Sequence, residues 1–220
     1  MATTAETWTS AVPYLPRRLS LKSLREAAEH CQGCPLYSHA TQTVFGQGRR
    51  DARVMLVGEQ PGDAEDRQGA PFVGPAGRVL NEALETAGID RDDAYVTNVV
   101  KHFKWIAVHR RRMHKKPNAR EVAACLPWID KEIEVVKPRI LVCMGATAAQ
   151  ALLGPKIRVT RDRGVLTPSR LTPEGWALAT VHPSSILRQQ TSEDRHREMD
   201  LFIADLRVVA NALADGGGRG

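Results

Sequence analysis

The apolar residues of this chain occur in short continuous runs that alternate with segments of helical spacing. Four of the runs have the length and the branched-residue content of strands that are buried on both faces. They cover residues 53–59 (RVMLVGE), 94–100 (AYVTNVV), 139–145 (RILVCMG) and 176–183 (WALATVHP). We therefore expect four strands, and no internal repeat is visible.

The segments between these runs predict helices. Apolar residues recur at helical spacing in residues 21–31, 77–89, 118–138 and 146–154, and again from near Ser192 to about Ala214. Gly88 and Pro138 are typical helix ends, whereas Pro127, inside the third segment, predicts a kink or a break. Strands that alternate with helices predict an α/β fold with a parallel sheet.

The length and composition favour a single domain. The chain has 220 residues, of which 42% are hydrophobic, and this is enough for one substantial core. We expect a flexible leader over residues 1–20, the domain over 21–214 and a disordered tail over 215–220. Because the leader lacks an apolar signal segment and no run is long enough to span a membrane, we expect a cytoplasmic protein of bacterial type without membrane contact.

The charge distribution points to one segment. Lys and Arg number 31 against 25 Asp and Glu, which gives a net charge of +6 and makes a polyanionic partner plausible. The basic residues are densest in residues 109–117 (HRRRMHKKP). This run fits a solvated loop, a phosphate-binding segment or a loop with a reactive histidine, and the pattern does not distinguish His109 from His114.

Other candidate residues follow the predicted strands. An open parallel sheet binds ligands beyond the carboxyl ends of its strands, where GEQPG, NVVKH, MGATA and HPSS would lie. Residues 58–78 contain neither the Lys-Ser/Thr pair of a phosphate-binding loop nor a dinucleotide-binding glycine motif. Phe72, among turn residues, predicts a stacking surface for a flat ligand, although an acidic surface loop would share much of this composition. His182 fits either an ordinary rim position or a functional one.

The cysteines suggest a metal or a cluster. Cys31 and Cys34 have the spacing that lets two thiolates reach one metal centre. Cys125 is a further candidate ligand, whereas Cys143 lies in an apolar strand and is more typical of a core residue. His102 could supply an imidazole. Zinc and iron-sulfur both fit this pattern.

Five ordered motifs carry a family resemblance. GEQPG, PFVGPAG, NVVKH, GATAA and VHPSS resemble the iron-sulfur uracil-DNA glycosylases of families 4 and 5 over about residues 31–206. GEQPG together with RRRMHKKP further resembles the UdgX class, which removes uracil and stays covalently attached to the abasic site. The resemblance implies a three-layer α/β/α sandwich around a central four-stranded parallel sheet.

The resemblance also implies a uracil pocket. Uracil must be flipped out of a duplex or taken from a single strand, so the implied partner is uracil-containing DNA of either kind, bound by a monomer. Asn98 would read the base edge, Phe72 would stack on the ring, and His182 would stabilise negative charge on the departing base. The implied uracil-binding residues are Gly58, Gln60, Phe72, Asn98 and His182.

His114 is the nucleophile that the resemblance implies. In the UdgX class the reactive histidine precedes Lys-x-Pro in a basic loop, as His114 does here, although Arg110 and Met113 depart from the usual residues. Its neutral imidazole would attack C1′ in a single turnover, with Glu59 orienting the ring. Phosphate contacts are implied for Arg110, Arg111, Arg112, Lys115, Lys116 and Ser184.

A [4Fe-4S] cluster of structural role is implied as well. Its ligands would be Cys31, Cys34, His102 and Cys125, and Cys143 would take no part. Family 4 enzymes carry cysteine where this chain has His102, and an imidazole ligand should raise the reduction potential.

Two alternatives remain. A conventional, multiple-turnover iron-sulfur glycosylase would use Glu59 to position the water that captures C1′. A non-catalytic nucleic-acid-binding module would hold structural zinc in place of the cluster.

Overall fold

The computed structural model describes residues 10–173 and 175–215. Residues 1–9 of the expected leader and 216–220 of the expected tail lie outside the described residues. In chain order the strands are β1 (Val54–Gly58), β2 (Ala94–Asn98), β3 (Trp105–Val108), β4 (Arg111–His114), β5 (Ile140–Met144), β6 (Leu166–Pro168) and β7 (Trp176–Thr180).

The main sheet has five strands in the order β2-β1-β5-β7-β6. The first four are parallel and correspond to the four apolar runs of the sequence, and β6 pairs with β7 in the antiparallel sense. The four expected parallel strands are present, but a four-stranded, purely parallel sheet is not confirmed, because β6 adds a fifth, antiparallel strand. β6 has only three residues and ends at Pro168, which is tolerated at a sheet edge but gives no strand pattern in the sequence.

Helices cover both faces of this sheet. They are α1 (Leu21–Ala28), α2 (Asp63–Gln68), α3 (Pro75–Ala87), α4 (Ala119–Val136), α5 (Ala146–Leu153), α6 (Val159–Asp162), α7 (Pro183–Leu187) and α8 (Ser192–Asp215). Met55 and Val57 of β1 pack in one apolar cluster with residues of α1, α4 and α5. Val54 and Leu56 pack on the other face, with residues of α3 and α8. The α/β expectation is confirmed, and β1 is buried along its whole length because both faces are covered.

The expected break at Pro127 is absent. α4 runs without interruption from Ala119 to Val136, so Pro127 does not break it. Buried residues on both sides of the proline, such as Cys125 and Trp128, hold the two halves of this helix against the core.

No helix in the described part of the chain is both long and apolar enough to cross a membrane.

The later part of the expected leader packs against the domain. Ala11 is buried, its N–H donates to the carbonyl of Ala124 at 2.8 Å, and Val12–Tyr14 form a short 3₁₀-helix. A side chain at Gly33 would come within 2.6 Å of the Ser10 backbone. Residues 11–14 of the leader therefore make a backbone hydrogen bond to the domain and bury apolar surface against it.

The basic run 109–117 is largely a β-hairpin instead of a loop. β3 and β4 pair in the antiparallel sense as a separate two-stranded sheet, with Trp105 opposite His114. The turn residues His109 and Arg110 have φ of 43° and 64°, the left-handed conformation of a tight two-residue hairpin turn. This β3–β4 hairpin brings His114 to the end of a strand.

Candidate active site

A cavity of about 610 Å³ opens where the parallel strands end. Its walls include residues that follow each of the four parallel strands, as expected for this type of sheet. Glu59 and Gln60 follow β1, Asn98 ends β2, Thr147 lies after β5, and His182 lies after β7. The hairpin contributes His114.

One end of the cavity is built around Gly58. A Cβ at this position would lie 2.4 Å from Asn98 Oδ1, 2.9 Å from Phe72 Cζ and 3.3 Å from His182 Nε2. Only glycine therefore leaves room where these three side chains converge. Asn98 is buried, and its Oδ1 accepts no hydrogen bond from the described residues. A buried acceptor without a partner is costly, so this atom is available to a donor on a ligand.

Phe72 is held in a strained backbone conformation beside this space. Its φ is +56°, which is unusual for a bulky residue. A Cβ at Gly77 would come within 1.6 Å of the Phe72 carbonyl oxygen, so the close approach of this loop to α3 depends on glycine. The Phe72 ring lies 6.0 Å from the His182 ring, with an interplanar angle of 27°. The ring thus forms a flat apolar wall of the cavity.

His182 presents a hydrogen-bond donor to the same space. The backbone N–H of Ser184 donates to its Nδ1 at 3.2 Å, so the proton of the neutral ring lies on Nε2. Burial lowers the pKa of His182 to about 4, and the nearby positive charge of Arg188 acts in the same direction. His182 is therefore neutral at pH 7 and can still donate from Nε2.

Glu59 connects the hairpin to the sheet. Its Oε1 lies 3.3 Å from His114 Nε2, and its Oε2 accepts a hydrogen bond from Thr147 Oγ1. Burial by itself raises the pKa of Glu59, but the hydrogen bonds from His114 and Thr147 bring it below its usual value. The group is a carboxylate at neutral pH. His114 is 51% exposed, so one side of its ring remains accessible from the cavity.

Gln60 fixes the base of the hairpin. Its Nε2 donates to the carbonyls of Lys104 and Lys115 at 3.2 and 3.1 Å, and its Oε1 accepts the Lys104 N–H at 3.0 Å. Gln60 lines the cavity, as the uracil-binding prediction requires, but these three bonds occupy its amide. Its observed contacts hold the chain on both sides of β3 and β4.

Arg112 attaches the hairpin to α2. Its guanidinium donates to Asp63 and, at 2.6 Å, to Asp66, and its side chain is only 16% exposed. It also lies 5.5 Å from the rings of Phe103 and Trp105. The other basic residues predicted to contact phosphate are exposed, and within residues 10–173 and 175–215 they form no ion pair: Arg110, Arg111, Lys115 and Lys116. Ser184 lines the cavity, where its Oγ accepts from Arg188 at 2.9 Å.

The three predicted cysteine ligands are buried close enough to influence one another electrostatically. Trp128 Nε1 donates to Cys31 Sγ, and the Lys101 N–H donates to Cys125 Sγ, each at 3.3 Å. Burial raises the pKa of Cys34 to about 11, so a bound cation is needed to make this thiol a thiolate. N–H groups directed at sulfur are typical of ligated thiolates.

His102 has the tautomer that a ligand requires. Its Nε2 lies 2.9 Å from Thr43 Oγ1, and this hydroxyl donates its proton to the Ala28 carbonyl. The Thr43 oxygen must therefore accept from Nε2–H, which leaves Nδ1 with a free lone pair. Among the described residues, no group of three or more His, Cys, Asp or Glu side chains has the arrangement of a single-ion site. Cys143 is wholly buried in β5.

Sequence reasoning missed several residues of this site. Thr147 lies in the GATAA segment, which was placed at the correct edge, but its bond to Glu59 has no signal in the sequence. Asp63 and Asp66 belong to the acidic segment after GEQPG and serve as partners of Arg112. Arg188 follows HPSS by one helical turn and lines the cavity. Only the folded chain brings these partners together.

The sequence of this chain is similar to those of known proteins. The family model described as the uracil DNA glycosylase superfamily matches residues 45–207. The chain is 36% identical over 181 residues to a type-4 uracil-DNA glycosylase of Thermotoga maritima, covering 80% of this chain and 87% of that protein. It is 38% identical over 214 residues to a type-4 uracil-DNA glycosylase of Sulfurisphaera tokodaii, covering 91% and 93%.

A more distant relative belongs to another type. The chain is 32% identical over 148 residues to a type-5 uracil-DNA glycosylase of Pyrobaculum aerophilum, covering 60% of this chain and 62% of that protein. The family model spans well over half of the chain, and it includes every strand of the main sheet and the β3–β4 hairpin. This chain belongs to the uracil DNA glycosylase superfamily.

Proposed function

We propose that this protein is a uracil-DNA glycosylase that excises uracil and then joins His114 to C1′ of the abasic site. The observation that carries the proposal is the position of His114. Its half-exposed ring lies at a cavity suited to uracil, 3.3 Å from the carboxylate of Glu59. A histidine at this place can meet the electrophilic carbon that base removal produces.

Recognition of uracil follows from the groups around Gly58. Asn98 Oδ1 can accept the N3–H of uracil, and its amide NH₂ can donate to a neighbouring carbonyl oxygen. Cytosine has no N3–H, so it would leave this buried acceptor without a partner. Phe72 supplies the stacking surface. A nucleotide bound in this way must be extruded from a duplex or come from a single strand.

Cleavage breaks the bond between C1′ and N1 of uracil, and the bonding electrons leave with the base. The uracil anion is stabilised by the N–H of His182 Nε2, which is in place before the reaction. The sugar gains oxocarbenium character, and the carboxylate of Glu59 lies on the same side of the cavity as His114. The departed uracil takes its proton from solvent.

In the second step a nitrogen of the neutral His114 ring uses its lone pair to form a bond to C1′. The ring becomes positively charged and later loses its remaining N–H proton to solvent. Glu59 stabilises this charge while it exists, because its carboxylate is ionised and adjacent. Hydrolysis of the resulting N–C bond would need an activated water, and the adduct is therefore expected to persist, so that each molecule reacts once.

Conventional turnover is the second candidate, and the type-4 relatives favour it. In that case Glu59 positions a water at C1′, and His114 serves only to orient the carboxylate. The two candidates share uracil excision and differ in the fate of C1′.

We further propose a [4Fe-4S] cluster held by Cys31, Cys34, His102 and Cys125. The support is the soft donor set, the N–H groups at two of the sulfurs and the free Nδ1 of His102. The cluster would tie the chain near α1 to the segment after β2 and to α4. The role of the cluster would be structural, since none of its four ligands lines the cavity.

The DNA backbone would be bound by the exposed cations in and just after the hairpin, namely Arg110, Arg111, Lys115 and Lys116, and by Ser184, which lines the cavity. Arg112 has its guanidinium engaged by two aspartates, so we assign it to the support of the hairpin. We propose that the protein acts as a monomer on single- and double-stranded DNA.

A denaturing gel tests the proposal. The protein is incubated with labelled uracil-containing single-stranded DNA, boiled and separated. A shifted band that is absent with thymine DNA and absent in His114→Ala supports the adduct. Free abasic product from the wild type, in amounts beyond one equivalent of enzyme, would show conventional turnover. Binding without any loss of uracil would show a non-catalytic module.

A further inference from the structure

The outer face of the β3–β4 hairpin is apolar and exposed. Ile106, Val108 and Met113 are 46%, 38% and 50% exposed, and Ile106 lies directly opposite Met113 across the two strands. Side chains alternate between the faces of a strand, so these residues share the face away from Trp105, Arg112 and His114. Exposed apolar clusters in a soluble domain are typical of binding surfaces.

The inner face of the hairpin explains which way the outer face points. Trp105 donates to the His39 carbonyl, Arg112 binds Asp63 and Asp66, and His114 contacts Glu59. Of these partners, Glu59 lines the cavity and Asp63 and Asp66 belong to α2, which follows β1. The inner face of the hairpin therefore packs on the domain beside the cavity, and its outer face is turned away from the domain.

Positive charge surrounds the apolar cluster. Arg111 is opposite Val108, Arg110 forms the turn, and Lys115 and Lys116 follow Met113 along the chain. This combination complements a nucleic-acid strand, which offers flat apolar bases and phosphate charges at short intervals. A protein surface of mixed charge or a second copy of this basic hairpin would not match the cations as well.

We infer that the outer face of the hairpin binds the bases of the DNA strand that flank the extruded uracil. The inference rests on the proposed function, since it takes uracil-containing DNA as the occupant of the cavity. Met113 and His114 are consecutive in β4 and point to opposite faces of the hairpin. The strand that continues from a nucleotide held at His114 would therefore pass over the edge of the hairpin to reach the outer face. The apolar contacts would retain a strand whose bases are unpaired.

The test uses the variant Ile106→Thr with Met113→Thr, which keeps β-forming residues in both strands. The matched control is Leu201→Gln on α8, a residue that is 45% exposed away from the cavity. Binding is measured by anisotropy with single-stranded DNA that carries 2′-fluoro-2′-deoxyuridine. The fluorine destabilises positive charge at C1′, so the glycosidic bond persists during the measurement.

We expect the Kd of the double variant to rise about tenfold while the dependence of log Kd on log salt keeps its slope. Arg111→Ala should reduce that slope by about one, because it removes a phosphate contact. Replacing the bases beside the uracil with abasic spacers should weaken binding by the wild type and by the control variant, but should not weaken the double variant further.

Three results would overturn the inference. The first is an unchanged Kd in the double variant. The second is a loss of affinity with the spacers that is equal in the wild type, the control and the double variant. The third is a sedimentation coefficient of the wild type that shows a dimer joined through the outer face. Uracil excision in single turnover at saturating DNA is measured in parallel. If the wild type excises uracil and the spacers have no effect, only the inference fails. If the wild type leaves uracil-containing DNA intact, the proposed function fails.

Discussion

His114 Nε2 lies 3.3 Å from Glu59 Oε1, although Glu59 follows β1 of the main sheet and His114 ends β4 of the separate hairpin. Thr147 holds the other oxygen of the carboxylate. The carboxylate is thus fixed between a hydroxyl of α5 and the imidazole that is proposed to react.

Glu59→Gln should slow adduct formation about 100-fold, because the amide keeps the size of the side chain but does not stabilise the charge on the His114 ring. The measurement is the single-turnover rate of cross-linking, followed on denaturing gels. Thr147→Val is the companion variant and should show a smaller loss, since the carboxylate remains. An undiminished rate in Glu59→Gln would contradict this role.

Arg112→Ala should separate cross-linking from excision. The variant releases the hairpin from Asp63 and Asp66, while the groups around Gly58 stay in place. We expect adduct formation to fall at least about tenfold more than uracil release, because a misplaced nucleophile costs rate steeply. Arg111→Ala is the control, as Arg111 is exposed in the same strand. Equal losses of both activities in Arg112→Ala would show that the hairpin also shapes the uracil pocket.

Lys101 and Glu132 form a buried ion pair beneath the site. Both are almost inaccessible, and Lys101 Nζ also donates to the Asn98 carbonyl at 2.7 Å. Lys101→Met should destabilise the protein by about 3–5 kcal/mol, because it leaves a carboxylate buried without its partner. Adding Glu132→Gln should recover much of this loss. The check is urea unfolding, and a double variant no more stable than the single one would contradict the explanation.

His182 predicts a pH dependence of stability. Its pKa falls from 6.5 to about 4 on folding, so between these values the unfolded chain binds more protons than the folded one. The contribution of His182 to the free energy of unfolding is therefore highest above pH 6.5 and decreases as the pH falls towards 4. The free energy of unfolding of the wild type minus that of His182→Gln, measured by urea unfolding, should decrease over this range. A constant difference would mean that the ring keeps an ordinary pKa.

The four central strands were predictable, because strands buried on both faces are continuous apolar runs with few alternatives. The β3–β4 hairpin was not, since half of it is the sequence RRMH and its turn uses His109 and Arg110 where glycine or asparagine is usual. Similarly, β6 is too short to leave a pattern.

Some residues of the site were likewise predictable from the sequence, and others were not. Asn98 and His182 stand at or just after strand ends, where side chains of a parallel sheet are expected to meet a ligand. The partners of Arg112 could not be foreseen, because a basic run has the same appearance whether its side chains bind phosphate or an internal carboxylate. The bonds of Gln60 to the hairpin backbone depend on a hairpin that the sequence did not predict.

The proposed covalent bond between His114 and C1′ can be detected by intact-protein mass spectrometry after reaction with a short uracil-containing oligonucleotide. The protein should gain the mass of the oligonucleotide without its uracil, and proteolysis should place the addition on His114 with His109 unmodified. His114→Ala should show no addition. A protein of unchanged mass beside fully excised DNA, or an adduct on another residue, would contradict the claim.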